Sequence, residues 1–534
     1  MAFAFLTGCV KENATTTGGR HPWTIPHVLR IVNSADPDSL NPVVGNEQIE
    51  TDLSLFWAGY LFNYSDRNQF VPELATEVPT LRNGGISRDG RTIVYHLRRG
   101  VRWQDGAPFT AEDVIFTYDA VMNPRNNVPS HTGFDIVDRI EKKDDYTVVV
   151  HLKHPWAPFV ATFLTLSSTA YPVLPAHLLA KYPDINQVAY NQKPIGTGPF
   201  KVVEWDHGTL VKFVANPDYW RGPPKLKEID YRPIADANTI LTELRTHEED
   251  LDFFASDAQI AELRAIGGNR VSLVPFNAYA QIAFNLKNPI LADLAVRRAL
   301  VAATDRRTLN DDVTHGVNLL GEGDQPSFLP WFDSSIKTAP YDPALARRLL
   351  DADGWRVGPA GIRQKGGKRL ALTFAFTTGS ATGAEVAVLL QRWWKDVGVE
   401  LSIRTYVSSL FFAGYAAGGI IQDGRYDTAT YLWVSGIDPD DSTVFMCDQF
   451  PPAGQNTYHF CDPRLDAAER TALSSYDPDV RRRAYDTIQE ILASQRPFFT
   501  LYFVRRVNVY NDDLKNFKPA HVGVEIWNPW ELDI

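Results

Sequence analysis

This chain of 534 residues is poor in sulfur, with three cysteines and three methionines. Three cysteines cannot staple a scaffold of this size, and no Cys-x-x-Cys pair begins a structural zinc site. Long apolar runs are missing too: beyond the N-terminus none approaches the roughly 20 residues that span a bilayer. Positive charge is in deficit. Lys and Arg number 53 against 64 Asp and Glu, a formal net charge of -11. That balance excludes a nucleic-acid surface, whose affinity rests on clustered cations. Catalytic signatures are equally lacking. The chain has no His-Glu-x-x-His zinc helix, no Gly-x-Ser-x-Gly elbow and no Walker phosphate loop. Ser334-Ser335-Ile336-Lys337 matches a Ser-x-x-Lys pattern, but Ala339 follows Lys337-Thr338 where the partner motif needs Gly. The 12 histidines are scattered, and Asp311-Asp312 and Asp440-Asp441 read as solvated loop charges rather than acid/base pairs. Neither an enzyme nor a resident cofactor or metal is expected.

What is present is globular chemistry: 44% hydrophobic and 22% charged residues, in a chain long enough for several domains. Thirteen Trp and 21 Tyr are a high aromatic load, and some of these rings are expected to line a concave ligand site. Residues 91–114 are the most informative stretch. Thr92, Ile93, Val94 and Tyr95 favour a strand. Asp105-Gly106 supplies a turn. Thr110 is a good N-cap, answered by Asp113 three residues on, and Asn123-Pro124 stops the helix.

The types in that stretch, Leu97, Arg98, Gly100, Val101, Trp103, Asp105, Gly106, Pro108, Thr110, Ala111, Asp113 and Val114, resemble a family signature. The family is the extracytoplasmic solute-binding proteins of ABC importers, family 5, the oligopeptide/dipeptide-binding class. Further segments resemble it: Asn41-Pro42 after a first strand, Val71-Pro72-Glu73-Leu74-Ala75, Pro175-Ala176-His177-Leu178, Gly196-Thr197-Gly198-Pro199-Phe200 and the helix from Asp293 to Arg306. The resemblance implies an α/β periplasmic-binding fold of type II. Two lobes face each other across a cleft, and an additional α+β domain is inserted in the first. The division expected is a truncated lipoprotein signal and tether 1–25, lobe I 26–62, inserted domain 63–191, lobe I again 192–283, lobe II 284–502, and a C-terminal return to lobe I 503–534. Hinges are expected near 284–286 and 501–504. The implied function is capture of a peptide or other small solute, handed to an ABC permease whose ATPase is a separate protein. A monomer is implied, in the periplasm or at the cell surface. An oligosaccharide or other non-peptide solute is the alternative cargo. An enzyme or signalling receptor on the same fold is the distant one, since fold alone does not fix function.

Leu6-Thr7-Gly8-Cys9 resembles the lipobox of bacterial lipoproteins, in which Cys9 carries the lipid. The apolar region before it is short and lacks the positive start of a secretory signal. Residues 11–19 follow as a flexible tether. With Cys9 lipidated, Cys447 and Cys461 remain, and in an oxidising compartment they are expected to pair; two buried free thiols are the alternative.

The ligand is expected at the turn running from Tyr431 through Trp433, Ser435 and Gly436 to Asp438, Pro439 and Asp440. The resemblance implies an aromatic contact at Trp433, backbone pairing beyond it, and an Asp three residues after the Trp for the ligand's α-ammonium. Here that position is Gly436. Either Asp438 fills the role on a shortened turn, or the ligand has no free amine and stacks on Trp433. Tyr415, Asn46 and Glu47 are further candidate contacts.

Overall fold

The computed structural model describes residues 19–45, 47–166, 170–337, 339–521 and 523–534. Cys9 and Asn46 therefore lie outside the described residues.

One ten-stranded sheet runs through the molecule. Its strands, with the helices that position the site, are β1 (Val28–Asn33), α1 (Gln48–Trp57), β5 (Phe200–Asp206), β6 (Leu210–Ala215), β7 (Glu228–Pro233), β8 (Leu251–Phe253), β9 (Asn269–Phe284), β10 (Ala371–Thr377), α3 (Ala381–Asp396), β11 (Glu400–Tyr406), β12 (Thr428–Val434), α4 (Pro463–Ser474), α5 (Pro478–Gln495) and β13 (Phe498–Asn511). Between α1 and β5 the inserted segment adds β2 (Thr92–His96), α2 (Ala111–Met122), β3 (Val137–Asp144) and β4 (Thr147–Leu152). The sheet order is β11-β10-β12-β9-β13-β8-β1-β7-β6-β5. β1 is parallel to β7 and β8, and β10 is parallel to β11 and β12. Each half thus has a parallel α/β centre, extended in the first half by the antiparallel strands β6 and β5, and the long antiparallel pair β9 and β13 joins them.

That pair is interrupted. Asn269 to Pro275 pair with Asn511 to Arg505, the register breaks between Pro275 and Tyr279, and pairing resumes from Tyr279 with Phe503. Proline has no N–H to donate, so the ladder stops there for a covalent reason. Ala280, Ile282 and Phe284 already pack in the core of the second half. The break therefore lies upstream of 284–286 in β9, whereas in β13 it falls at Val504, within 501–504.

One continuous core holds Leu29, Ile31, Phe56 and Trp57 of the first half together with Ile93, Tyr95, Val114 and Val150 of the inserted segment. The signature stretch explains how they are fastened. Thr110 caps α2, accepting from Glu112 N at 3.3 Å, while Asp113 Oδ2 accepts from Thr110 N at 2.9 Å. The same buried carboxylate accepts from Trp103 Nε1 at 3.3 Å and, through Oδ1, from Ala176 N at 2.9 Å. His177 Nε2 lies 2.8 Å from Asp105 Oδ2. The chain returns at Gly196-Thr197-Gly198, where Gly198 N donates to Trp57 O at 2.9 Å. A Cβ on Gly196 would fall 1.8 Å from Trp57 O, so only glycine allows this approach.

Cys447 and Cys461 form the expected disulfide, with Cα atoms 4.5 Å apart. No described helix is long and apolar enough to cross a membrane.

Candidate functional site

The site is built on β12. Along its whole length β12 pairs with β9, but with β10 it pairs only at Thr428 and Ala429. From Thr430 to Val434 the other edge has no strand partner among the described residues. Side chains alternate along a strand. Leu432 and Val434 stand 55% and 48% exposed, while Tyr431 and Trp433 pack against a core beneath.

A groove follows this edge. Its largest concavity, about 640 Å³, is lined by Phe254, Asp257, Phe412, Leu432, Tyr502 and Arg505 among others. A second shares Phe412, Tyr431 and Leu432 with it and adds Trp433, Val434 and Gln455. A third, about 520 Å³, shares Trp433, Val434 and Gln455 and reaches Gly436, Asp438, Trp156 and Ser130. A fourth shares Gln48, Pro129 and Ser130 with the third and adds Glu47, Glu50 and Tyr171. Each shares walls with the next; the third lies between the inserted segment and the second half, whereas the fourth is lined by the first half and inserted segment alone.

Most of the residues expected from the sequence gather here. Trp433 lines two adjoining concavities. Glu47 stands at the far end of the groove as N-cap of α1, and its N–H donates to Glu50 Oε2 at 3.1 Å. Ser435 and Gly436 are held by Asn277, which sits in the register break. Ser435 N donates to Asn277 O at 2.9 Å, Asn277 Nδ2 donates to Ser435 O at 3.0 Å, and Gly436 O accepts from the same amide. Tyr415 is 45% exposed on a short turn and is outside the four linings described.

Asp438 borders the groove, but its charge is already met. Its Oδ1 accepts from Arg481 Nη2 at 2.7 Å, and Arg481 also donates to Ala472 O at 3.1 Å. Burial works against the Arg481 charge, yet Asp438 more than offsets it and the guanidinium pKa is raised. Asp440 and Asp441 correct the sequence reading: Asp441 is buried and Asp440 only partly exposed. Asp441 is buried, as are Asp324 and Glu469, and carboxylate oxygens of all three lack hydrogen-bond donors. Burial pushes Asp440 and Asp441 up and lifts Glu469 to about 8. An acid of that kind keeps its proton at neutral pH. Among the described residues, His21, Asp512 and Asp513 form one group close enough to share an ion. They lie outside the groove linings described, and His21 Nε2 stands 2.6 Å from Asp512 Oδ1.

Sequence reasoning missed Phe254, Asp257, Phe412 and Arg505. Phe254 has a left-handed φ of 74°, which nothing in its local sequence announces. The pairing of two arginines, Arg505-Arg506, just after the expected hinge was a usable signal: on a strand, adjacent side chains must face opposite ways.

Comparison with known proteins agrees with this architecture. The family described as bacterial extracellular solute-binding proteins, family 5 Middle, matches residues 69–453. Protein XP55 of Streptomyces lividans is 30% identical over 516 residues, covering 96% of this chain and 90% of that protein. Oligopeptide-binding protein AppA of Bacillus subtilis is 27% identical, covering 98% and 95%. The crystal structure of NikZ from Campylobacter jejuni in complex with Ni(L-His) superposes with a TM-score of 0.78 at 26% identity, covering 96% of this chain and 100% of NikZ.

Proposed function

Because this chain belongs to the bacterial extracellular solute-binding proteins of family 5, we propose that it is a lipid-anchored receptor that captures a peptide between two lobes and hands it to an ABC permease. The class is extracytoplasmic and consists of binding proteins rather than enzymes. The peptide reading rests chiefly on one observation, the free edge of residues 430–434 inside the groove. An extended peptide adds to such an edge through its backbone, and its alternate side chains enter flanking pockets. The oligopeptide and di/tripeptide binders among the relatives support the same cargo class. The lobe boundaries 26–62, 192–283, 284–502 and 503–534, the inserted domain 63–191 and the monomeric state form part of this proposal. Closure is a hinge motion at the register break, where few backbone groups must change. The anchor is the lipid on Cys9, leaving residues 11–19 as tether.

Trp433, Ser435, Gly436 and Glu47 are proposed as contacts, with Asn46 beside Glu47. Tyr415 is proposed as an aromatic that reaches the ligand only on closure. The ion pair with Arg481 weakens the case for Asp438 as amine partner. A non-peptide solute stacked on Trp433 is the second reading, favoured by Gly436 standing where an amine-binding Asp would be. Native mass spectrometry of the purified protein tests both. A co-purified peptide mass supports the first reading, and a sugar or metal chelate replaces it with the second.

A further inference from the structure

Away from the groove, two adjacent carboxylates follow the end of β13. Among the described residues, neither Asp512 nor Asp513 pairs with a Lys or Arg, and Arg20 pairs instead with Asp533 at 3.9 Å. What meets them is the N-terminal segment. His21 Nε2 lies 2.6 Å from Asp512 Oδ1 across 491 positions of sequence. His21 N and Thr24 Oγ1 both donate to Asp513 Oδ2, each at 2.7 Å. One ligand atom from each of His21, Asp512 and Asp513 lies within 4.8 Å of the other two. Among the described residues, Asp512 Oδ2 and Asp513 Oδ1 accept no hydrogen bond, so both carboxylates keep an oxygen to offer.

The three side chains are held from behind. The His21 ring stacks on Trp23 at 4.4 Å and 5°, and Trp23 stacks on His247 at 3.9 Å and 10°. Buried Asn511 donates to Thr24 Oγ1 at 2.9 Å and to Asp250 Oδ1 at 2.9 Å, and its own Oδ1 accepts from Asp513 N at 3.0 Å. The Thr24 hydroxyl, with its lone pair taken by Asn511, is thereby turned to donate to Asp513. Asp512 N donates to Gly268 O at 2.9 Å. Gly268 has a φ of 78°, and a Cβ there would fall 2.7 Å from Trp23 and 3.3 Å from His21 Nε2. An exposed His–Asp contact alone contributes at most about 1 kcal/mol and needs no such support. Outer partners that fix a ring and a carboxylate are what orient metal ligands.

We propose that His21, Asp512 and Asp513 bind one divalent first-row transition ion, of which zinc is the probe, with water completing its shell. One imidazole nitrogen and two carboxylates make a mixed donor set that suits such ions, whereas calcium and magnesium favour shells of oxygen alone. Zinc bonds of 2.0–2.2 Å set tetrahedral ligands roughly 3.4 Å apart, so His21 Nε2 and Asp512 Oδ1 must part by about 1 Å, the ion taking the place of the proton between them. The bound ion clips residue 21 to the end of β13. On the tether reading above, it fixes the point at which the tether leaves the body of the protein. The site itself is independent of the cargo.

Calorimetry on the untagged full chain, treated with EDTA and carrying Cys9→Ser to remove the thiol outside the disulfide, tests this with zinc, calcium and magnesium chlorides. Zinc is expected to bind at least roughly tenfold tighter than either of the others. His21→Ala, Asp512→Asn and Asp513→Asn should each weaken zinc by roughly tenfold or more. Thr24→Val, which frees Asp513, should weaken it about tenfold, and Thr24→Ser should restore it. Zinc should raise the melting temperature of the parent and not of the ligand variants. Metal-free melts show whether each variant is folded, and Asp512→Asn, at an exposed position, decides the matter if the others are not. Zinc binding no tighter than calcium overturns the site. So does zinc binding that survives all three ligand variants, which would place the ion elsewhere.

Discussion

Asn277 and Ser435 exchange two hydrogen bonds, Ser435 N to Asn277 O at 2.9 Å and Asn277 Nδ2 to Ser435 O at 3.0 Å. One partner sits in the break between the halves and the other on the turn that borders the groove. Asn277 N also donates to His521 O at 3.1 Å, so the C-terminal segment joins the same junction. Asn277→Ala removes the side-chain bonds and leaves buried carbonyls unserved. A stability loss of about 1–3 kcal/mol is expected. Ligand affinity should also fall, although Asn277 lines none of the groove segments described. Denaturant titration and calorimetry read the two effects; unchanged affinity would uncouple the hinge from the turn.

Asp438→Ala should act on stability before binding. It strands Arg481, which is buried against Trp331 and Tyr485. Removing one partner of a buried pair costs roughly 3–5 kcal/mol, and partial exposure favours the lower end. Trp433→Ala should do the reverse, losing ligand affinity with little loss of stability, since its ring is only partly buried. If Asp438→Asn instead weakens free peptides much more than N-acetylated ones, Asp438 is the amine partner after all.

Stability should fall as pH rises from about 5 to 8. Burial lifts Glu469 to about 8 and Glu73 to about 7. Both sit well above an unfolded glutamate near ~4.3. The folded state therefore binds more protons across that interval. Their contribution is complete below the unfolded value and is lost as pH climbs through the folded one. Melting temperatures across this range measure the slope, and Glu469→Gln should flatten it. A melting temperature that climbs toward pH 8 would contradict the assignment.

Reduction of Cys447–Cys461, or Cys447→Ser with Cys461→Ser, should cost roughly 3 kcal/mol in the chain-entropy view. The bridge ties the segment after α-carbon 446 to the start of α4, where Cys447 N donates to Asp466 Oδ1 at 3.0 Å. Thiol labelling of denatured, unreduced protein from its native compartment should find neither cysteine reactive.

Expressed behind a secretory lipoprotein signal, the Cys9→Ser variant should move from the membrane to the soluble fraction. Retention at the membrane would remove the lipid anchor from the proposal.

The family and the α/β fold were legible in the sequence, because they rest on local patterns: alternation, caps, and glycines where backbones touch. The sequence was silent on Asp257 and Arg505, which lie 248 positions apart by number and line one concavity through the sheet order. It also misread Asp440-Asp441. A pair of acids after a proline looks like a surface loop, and only the packing of α4 and α5 over that loop reveals the burial. The register break coincides with the segment 501–504 expected from the sequence in β13 but falls earlier than 284–286 in β9, where Pro275 is followed by nine more strand residues.

The two halves are not tethered shells. A single sheet passes through both, with its ladder broken between Pro275 and Tyr279 and shifted again between Ala280 and Gln281. If the lobes close as proposed, the motion would be a twist of two neighbouring backbones. A transporter docked on both halves would need no grip on the cargo itself: loading that short span would suffice to let the cargo go.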